Sequence, residues 1–433
     1  QIMSMLSLFS LACSFFFYSA NGELMPTGLV LAVTKDVSTK QYVTNIDQRT
    51  PTVTVKTTLD LGGQFMWTDC GQGYISSTFN SASCDSPECE IAGSSTCITQ
   101  CFSPPRPGCA NDTCGIRTDN PITGSTTLSG LGNDKISLSS TDGSNPGMVV
   151  SISNFLFGCA PSSLANGLAQ GAQGIGGLGR ANASLPYQLG SALGFSKKFA
   201  ICLPSAENTT GVVFFGNGPY MFPPNIAASD YFTYTPLIQN PVSTADAYFR
   251  GDASSDYFLK LQSIQINGKA VKIKKSLLTI DEYGRGGMKL STLVPYTVLQ
   301  ASIHKALIKA FAKALSAVPR VPAVAPFELC FNSTYIGITR LGPGVPEIGF
   351  VLHNERTVWR MFGANTMVQV KSDVLCLGFV KGRRKSRTSI VIGGYQMENN
   401  LLQFDLDSSR FGFSSFLFPL RTNCGKFNFT TKA

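Results

Sequence analysis

The feature that most constrains this chain is an internal duplication. An apolar, β-branched run ends in a turn at 60–63, and a segment rich in apolar residues and glycine follows at 174–179. A second apolar run ends in a turn at 291–293, and a second apolar-glycine segment follows at 390–394. Because such runs are typical of buried strands, the repeat predicts two β lobes built alike. Alternating apolar and polar residues elsewhere predict a mostly-β protein with few short helices.

The two turns differ at their first residue. The first reads Asp60-Leu61-Gly62 and presents a carboxylate, whereas the second begins with Ser291 and presents a hydroxyl. Taken alone, Asp60 is best explained as a carboxylate that caps its own turn. Two carboxylates can share a proton and activate water, but an aspartate and a serine cannot hold opposite protonation states near neutral or acidic pH. A catalytic role for Asp60 therefore needs a second carboxylate, and Ser291 does not supply it.

The N-terminus predicts export. An apolar run at 6–18 is followed by small residues, which indicates a secretory signal peptide over 1–22. No other stretch approaches the ~20 apolar residues of a membrane span, so we expect no membrane association. The segment 217–256, rich in Pro, Ser and Asp, is the best boundary between the halves. We expect an N-terminal lobe over 23–220 and a C-terminal lobe over 221–433.

Cysteine usage agrees with export. Twelve cysteines remain after removal of the signal peptide, their close spacings are not those of zinc sites, and the chain has only two histidines. We therefore expect six disulfides, no metal and no cofactor, with the pairing inside the 70–159 cluster left open. The cysteines are Cys70, Cys84, Cys89, Cys97, Cys101, Cys109, Cys114, Cys159, Cys202, Cys330, Cys376 and Cys424. N-x-S/T motifs predict glycosylation at Asn111, Asn182, Asn208, Asn332 and Asn428.

The net charge of +9 is not organised as in nucleic-acid binders, which concentrate basic residues in long runs. The one basic run here is 381–387. In an extracellular protein a basic balance favours acidic protein partners or anionic cell-wall polysaccharide. A basic protein with no such partner is the alternative, and composition does not separate the two.

Several motifs together resemble a known family. The segments 59–70, 105–109, 162–179, 289–299 and 387–394 are similar to those of the plant family of extracellular dermal glycoproteins, basic 7S globulins, xyloglucanase-inhibiting proteins and TAXI-type xylanase inhibitors. The resemblance implies a bilobal pepsin-like aspartic protease fold without proteolytic activity, in which Asp60 and Ser291 are vestigial. It also implies a secreted monomer of the apoplast or cell wall, a second-lobe bridge Cys330–Cys376, and a further pair Cys202–Cys424.

The same resemblance implies a function. Family members inhibit microbial glycoside hydrolases, here a family 12 xyloglucan-specific endo-β-glucanase, through arginines on two second-lobe loops that match Arg320 and Arg387. Arginine suits this role because its fork pairs with carboxylates and keeps its charge. The run 383–385 is more basic than expected for the family, so Arg384 is an alternative to Arg387. Other functions left open are storage or peptide binding, as in basic 7S globulin, and inhibition of a family 11 xylanase.

Overall fold

Strands build most of the molecule. The computed structural model describes residues 26–71, 73–245 and 251–430, so the predicted signal peptide 1–22 lies outside the described residues. The predicted fold class, mostly β with few short helices, is confirmed. Within these described ranges, no helix is both long and apolar enough to cross a membrane.

The elements of the first half precede residue 220. Its strands are Gly28–Lys35, Tyr42–Gln48, Val53–Asp60, Trp67–Asp69, Asn80–Ser81, Thr96–Ile98, Thr113–Asn120, Ser125–Thr141, Pro146–Ala160, Gly174–Gly177, Lys198–Cys202 and Gly211–Gly216. Its α-helices are Pro87–Ile91 and Leu185–Leu193.

The elements of the second half follow residue 220. Its strands are Met221–Phe222, Ile226–Ala227, Thr233–Ile238, Phe258–Leu259, Ser263–Ile266, Lys269–Ala270, Met288–Leu290, Thr297–Leu299, Arg320–Val321, Cys330–Asn332, Ile338–Thr339, Gly342–Pro343, Ile348–Val351, Val358–Met361, Met367–Lys371, Val374–Leu377, Phe379–Lys381, Ile390–Ile392, Asn400–Asp405 and Arg410–Phe416. Its α-helices are Ala301–Ala314, Gly363–Thr366 and Gly394–Met397. The division at 220/221 stays a prediction.

The duplication is visible in the strand pairing. Val53–Asp60 pairs in parallel with Gly174–Gly177, and Met288–Leu290 pairs in parallel with Ile390–Ile392. Glycine is needed in these segments because another stretch of main chain packs directly against them. A Cβ on Gly177, for example, would lie 2.4 Å from the carbonyl oxygen of a neighbouring phenylalanine, a distance that real Cβ atoms do not reach.

The two halves share one sheet. Lys198–Cys202 pairs antiparallel with Asn400–Asp405, and Thr233–Ile238 pairs antiparallel with Arg410–Phe416. The buried rings of Phe199 and Phe404 stack across the first of these pairings, with centroids 4.7 Å apart. The central turns of both halves are therefore held in a fixed relation by main-chain hydrogen bonds and by a common apolar core.

All twelve predicted cysteines form disulfides. Two pairs implied by the resemblance, Cys330–Cys376 and Cys202–Cys424, are confirmed. The cluster at 70–159 pairs as Cys70–Cys159, Cys84–Cys97, Cys89–Cys114 and Cys101–Cys109. Cys89 and Cys114 are buried in a small apolar core with Trp67 and Leu131, so this disulfide-rich insertion is packed as well as cross-linked.

Two stretches whose sequence pattern is typical of a strand do not form continuous strands. The alternating run 257–271 forms three short strands, and the run 359–370 is broken by the helix Gly363–Thr366. A Cβ on Gly363 would lie 1.9 Å from the carbonyl oxygen of Pro343, so the short strand Gly342–Pro343 packs directly against the chain at this point. Alternation indicates which residues are buried, but it does not reveal where a neighbouring segment ends the strand.

Candidate functional site

The two central turns have the same local geometry. The backbone N–H of Gly62 donates to Asp60 Oδ1 at 2.8 Å, and the backbone N–H of Leu293 donates to Ser291 Oγ at 3.3 Å. Both first residues line one cavity of about 520 Å³ between the halves. Asp60 and Ser291 thus occupy equivalent positions in the repeat, with a carboxylate on one side and a hydroxyl on the other.

A hydroxyl next to Ser291 crosses between the halves. Thr292 Oγ1 donates to the carbonyl oxygen of Leu59 at 2.6 Å and accepts from the backbone N–H of Leu61 at 3.2 Å. Leu61 occupies the matching position after Asp60 and is fully buried, but its side chain has no hydroxyl to reciprocate. Thr292 therefore connects the two turns through its side chain, and Leu61 does not.

A second carboxylate, from Asp256, lies beside Asp60. A Cβ on Gly62 would lie 2.2 Å from Asp256 Oδ1 and 3.6 Å from Asp60 Oδ1, so both carboxylates converge on this glycine. Lys289 Nζ donates to Asp256 Oδ2 at 2.7 Å, and the hydroxyl of Thr244 donates to the same oxygen. The second carboxylate in the cleft is thus held in an ion pair.

No motif in the sequence indicates Asp256. It is the last residue of the boundary segment 217–256 and precedes the strand Phe258–Leu259. The available signal is Lys289. It lies two residues before Ser291 in a strand with buried neighbours, and its side chain is 18% exposed. A lysine in such a place requires a counter-ion, and the search for one leads to Asp256.

The environment of Asp60 favours its neutral form. Burial, followed by the negative charge of Asp256, raises the pKa of Asp60 from 3.8 to about 7, against the opposing effects of the Gly62 N–H and of Lys289. Asp60 is therefore protonated in mildly acidic solution. Asp60 is then a neutral carboxylic acid beside the ion pair of Asp256 and Lys289, which is a chemically different arrangement from two carboxylates that share a proton.

The predicted arginines lie on the second half, away from these turns. Arg320 is exposed and begins a two-residue strand between Pro319 and Pro322, which excludes helix, as predicted. This strand pairs with Cys330, whose disulfide to Cys376 joins it to the next strand of the same sheet. Arg320 is thus presented on a short hairpin that is covalently fixed at its base.

The structure brings Arg320 together with Arg384. Both line an open cavity of about 1020 Å³. Arg387 is half-buried and lines an adjoining cavity of about 920 Å³, where its carbonyl oxygen accepts from the backbone N–H of Gly286 at 2.8 Å. Arg384 lines both cavities. Of the two arginines considered for the basic loop, Arg384 is the one that shares a cavity with Arg320.

Gln300 connects the helix Ala301–Ala314 to the arginine loop, and the sequence pattern does not indicate it. Its side-chain Oε1 accepts from the backbone N–H of Ser302 at 2.7 Å and so caps the helix. Its Nε2 donates to the carbonyl oxygen of Arg384 at 2.9 Å. Its backbone N–H donates to the carbonyl oxygen of Ser389 at 2.8 Å. One side chain therefore sets the position of the loop relative to the helix.

The remaining predicted sites are at the surface. Asn111, Asn182, Asn208 and Asn428 are exposed, whereas Asn332 is half-buried and its side chain accepts from the backbone N–H of Thr334 at 3.0 Å. Glycosylation stays a prediction at all five. In the described portion of the chain, no three His, Cys, Asp or Glu side chains are grouped so that they could hold a metal ion.

Two β lobes related by duplication, each with a turn at a shared central cleft, define a pepsin-like protein. Models for the N-terminal and C-terminal parts of xylanase inhibitors match residues 42–217 and 256–415, and the chain belongs to this xylanase inhibitor family. The predicted resemblance is confirmed. A xylanase is a glycoside hydrolase, so the family description supports a partner of that class.

Known relatives extend over the whole chain. The probable aspartic proteinase GIP2 of Nicotiana benthamiana is 51% identical over 98% of this chain and 98% of its own length. The basic 7S globulin of Glycine max is 36% identical over 94% of this chain and 93% of its own length. The solved structure of edgp matches with a TM-score of 0.93 and 49% identity, covering 94% of this chain and 99% of that chain.

Proposed function

We propose that this protein is a secreted plant inhibitor of a microbial endoglucanase of family 12, and that it has no peptidase activity. The observation that carries the proposal is the convergence of Arg320 and Arg384 on one open cavity of the second half. The six disulfides and the exposed N-x-S/T motifs support a place in the extracellular space, either the apoplast or the cell wall.

Inhibition follows from charge and stiffness. A retaining glycosidase holds two catalytic carboxylates about 5–5.5 Å apart in an open cleft, and each can accept a bidentate pair of hydrogen bonds from a guanidinium. Arg320 extends from a disulfide-fixed hairpin, and Arg384 extends from a loop held by Gln300. Because both supports are ordered before binding, little conformational entropy is lost when the arginines enter the enzyme.

Arg387 has a different role in this scheme. Its backbone closes the loop through Gly286, and its side chain is half-buried in the adjoining cavity. We expect Arg387 to position the loop and to contribute to the electrostatic attraction of an acidic enzyme. Arg384 makes the contact with the catalytic carboxylates.

The absence of peptidase activity is supported by the central cleft. The position equivalent to Asp60 carries Ser291, and the additional carboxylate of Asp256 is neutralised by Lys289. The ammonium group of Lys289, 2.7 Å from Asp256 Oδ2, holds that carboxylate in an ion pair, so it is not available to share a proton with Asp60. We expect no pepstatin-sensitive cleavage of a denatured protein substrate between pH 3 and 6, and such cleavage would contradict this part of the proposal.

The decisive experiment is a titration of purified family 12 xyloglucan-specific endoglucanase with the secreted protein. We compare wild type with Arg320→Ala, Arg384→Ala and Arg387→Ala, and use the exposed Arg340→Ala as the matched control. Loss of one partner of a buried charge pair costs roughly 2–5 kcal/mol, so the first two variants should inhibit at least about 30-fold more weakly. Arg340→Ala should inhibit like wild type.

A family 11 xylanase is titrated in parallel. If the protein inhibits only the xylanase, the inhibitor function stands and its target is the family 11 xylanase instead of the endoglucanase. Failure to inhibit either enzyme at micromolar concentration would refute the inhibitor proposal. If Arg387→Ala loses more inhibition than Arg384→Ala, then Arg387 makes the contact with the catalytic carboxylates and Arg384 does not.

A peptide-binding or storage protein is the second candidate function. The observation that favours it is the central cavity of about 520 Å³, which lies between the halves and is lined by Asp60 and Asp256. Calorimetric titration with a mixture of extended basic hexapeptides tests it directly. Saturable binding that Asp256→Asn abolishes would support this function, and no binding would remove it.

A further inference from the structure

The cavity beside Arg320 is more basic than two arginines alone would make it. Six cationic side chains and one carboxylate, Glu328, line it, whereas the whole chain has 35 basic and 26 acidic residues. The cations are Lys274, Lys305, Lys309, Arg320, Lys381 and Arg384. Positive charge is therefore concentrated here well beyond the average of the protein.

Most of this charge has no internal counter-ion. Lys381 Nζ lies 3.3 Å from Glu328 Oε1. Among residues 26–71, 73–245 and 251–430, the other five cations form no ion pair with a carboxylate. All six are exposed. Since bulk water and salt must compensate this charge in the free protein, a bound polyanion would release counter-ions on binding.

Two of the lysines are grouped at a cost to the fold. Lys305 and Lys309 are four residues apart on the helix Ala301–Ala314, which places them on one face about 6 Å apart along the axis. Like charges at this spacing destabilise a helix slightly. An arrangement that weakens the free helix becomes favourable when an anion lies across both side chains.

The charge of the cavity does not depend on a histidine. His304 is buried beneath the lysines, and its Nδ1 lies 3.6 Å from Glu328 Oε2. Burial lowers the pKa of His304, and the charge of Glu328 opposes that effect only in part. Lysine and arginine keep their charge throughout the range in which carboxylates are ionised, so the cavity attracts carboxylates from mildly acidic to neutral pH.

The cavity also has uncharged surface that suits a sugar chain. Leu277 and Ile308 contribute apolar surface, while the exposed Ser302 contributes a hydroxyl oxygen that can accept a hydrogen bond. Sugar rings present C–H faces and hydroxyls in alternation, and this surface offers partners for both. A lysine ammonium is a compact charge on a flexible stem, which fits a chain of repeated carboxylates better than one fixed carboxylate pair.

We propose that this cavity binds a linear polyuronide, a carboxylated cell-wall polysaccharide, through Lys274, Lys305 and Lys309. Arg320 and Arg384 lie in the same cavity. A polyuronide and a glycoside hydrolase therefore compete for the protein. Only this competition rests on the proposed inhibitor function, and the binding of the polyuronide does not. Polyuronide binding retains the protein on the wall until an enzyme with higher affinity displaces the saccharide.

The test is calorimetric titration of the secreted protein with a defined de-esterified oligogalacturonate at 0.15 M salt. The comparison ligands are its methyl ester, a neutral xyloglucan oligomer and a polyaspartate of equal charge. Lys305→Gln/Lys309→Gln is compared with Lys269→Gln/Lys371→Gln, which removes the same charge from exposed lysines outside the cavity. We expect saturable binding of the oligogalacturonate, at least tenfold weaker for the first double variant and within twofold of wild type for the second.

Three outcomes would overturn the proposal: no saturable binding at this salt concentration, equal losses in both double variants, or polyaspartate binding more than tenfold tighter than the oligogalacturonate. The last result would assign the cavity to an acidic protein. Adding oligogalacturonate to the endoglucanase assay measures competition separately. If the protein inhibits no glycoside hydrolase but binds the oligogalacturonate, only the inhibitor proposal fails; if it inhibits the enzyme but binds no uronide, only the present proposal fails.

Discussion

Protonation of Asp60 should contribute to the stability of this protein in mildly acidic solution. Its pKa in the folded state is raised to about 7 from an ordinary 3.8. An acid whose pKa is higher in the folded state binds its proton more tightly there, so its contribution is full below pH 3.8 and is lost as the pH rises through 7. At 1.36 kcal/mol per pKa unit, the free energy of unfolding should fall by about 4 kcal/mol over that range.

The variant Asp60→Asn isolates this contribution. Asparagine keeps an oxygen that can accept from the Gly62 N–H, but it does not titrate. With an unfolding entropy of about 2.1 cal/mol/K per residue, 4 kcal/mol corresponds to a shift of about 4 °C in Tm for a chain of this size. The Tm of the wild type should therefore fall by about that much more than the Tm of the variant between pH 4 and pH 8.

The assay is calorimetry or near-ultraviolet circular dichroism at matched ionic strength. Glu398, whose pKa burial also raises to about 7, contributes to the wild-type slope and to that of the variant, so it cancels in the comparison. Asp373→Asn, a change at an exposed aspartate, should have the same pH slope as the wild type. If Asp60→Asn also has the wild-type slope, the argument from burial and from Asp256 is wrong.

Three further predictions concern supports of the fold and of the arginine loops. Gln300→Ala should remove about 1 kcal/mol of helix capping and weaken endoglucanase inhibition about tenfold, with partial rescue in Gln300→Asn; unchanged inhibition would show that the loop is held otherwise. Lys35→Met leaves the buried Glu398 without its ammonium partner at 2.5 Å, although the hydrogen bond from Tyr42 remains, and should cost roughly 3–5 kcal/mol at pH 8 but less at pH 5, where Glu398 is protonated; equal losses in urea titrations would contradict this. Replacing Cys330 and Cys376 by alanine opens a loop with a sequence separation of 46 and should cost about 4 kcal/mol in the chain-entropy treatment, with weaker inhibition through Arg320 in the same protein.

The local elements of the fold are largely predictable from the sequence. The amphipathic run 297–315 indicates a helix, and a helix is found at Ala301–Ala314. It starts later than its apolar pattern because 297–299 pairs with 379–381 as a strand and Gln300 caps the helix. The type of element follows from local periodicity, whereas its boundary depends on a partner that is distant in sequence.

The candidate sites show the same division. The non-helical backbone at Arg320 could be predicted because the flanking prolines act locally, whereas its role as a site residue comes from the family resemblance. Asp256 could not be predicted, since its significance depends on folding beside Asp60, a residue far away in the chain. Likewise, the sequence places Arg384 and Arg387 in one loop, and only the packing of Gln300 against that loop determines which arginine lies beside Arg320.

The ion pair between Lys289 and Asp256 has an evolutionary consequence. The substitution Ser291→Asp would bring a further carboxylate into a cleft that is already lined by Asp60, Asp119 and Asp256 and by the ammonium group of Lys289. The new charge would compete with Asp256 for Lys289 instead of sharing a proton with Asp60. For a protein without peptidase activity, as proposed above, a return to two-carboxylate chemistry would then require a change at Lys289 or Asp256 as well as at Ser291. Substitutions in the exposed surface loops do not disturb this charge balance, so such loops can acquire new partners one residue at a time.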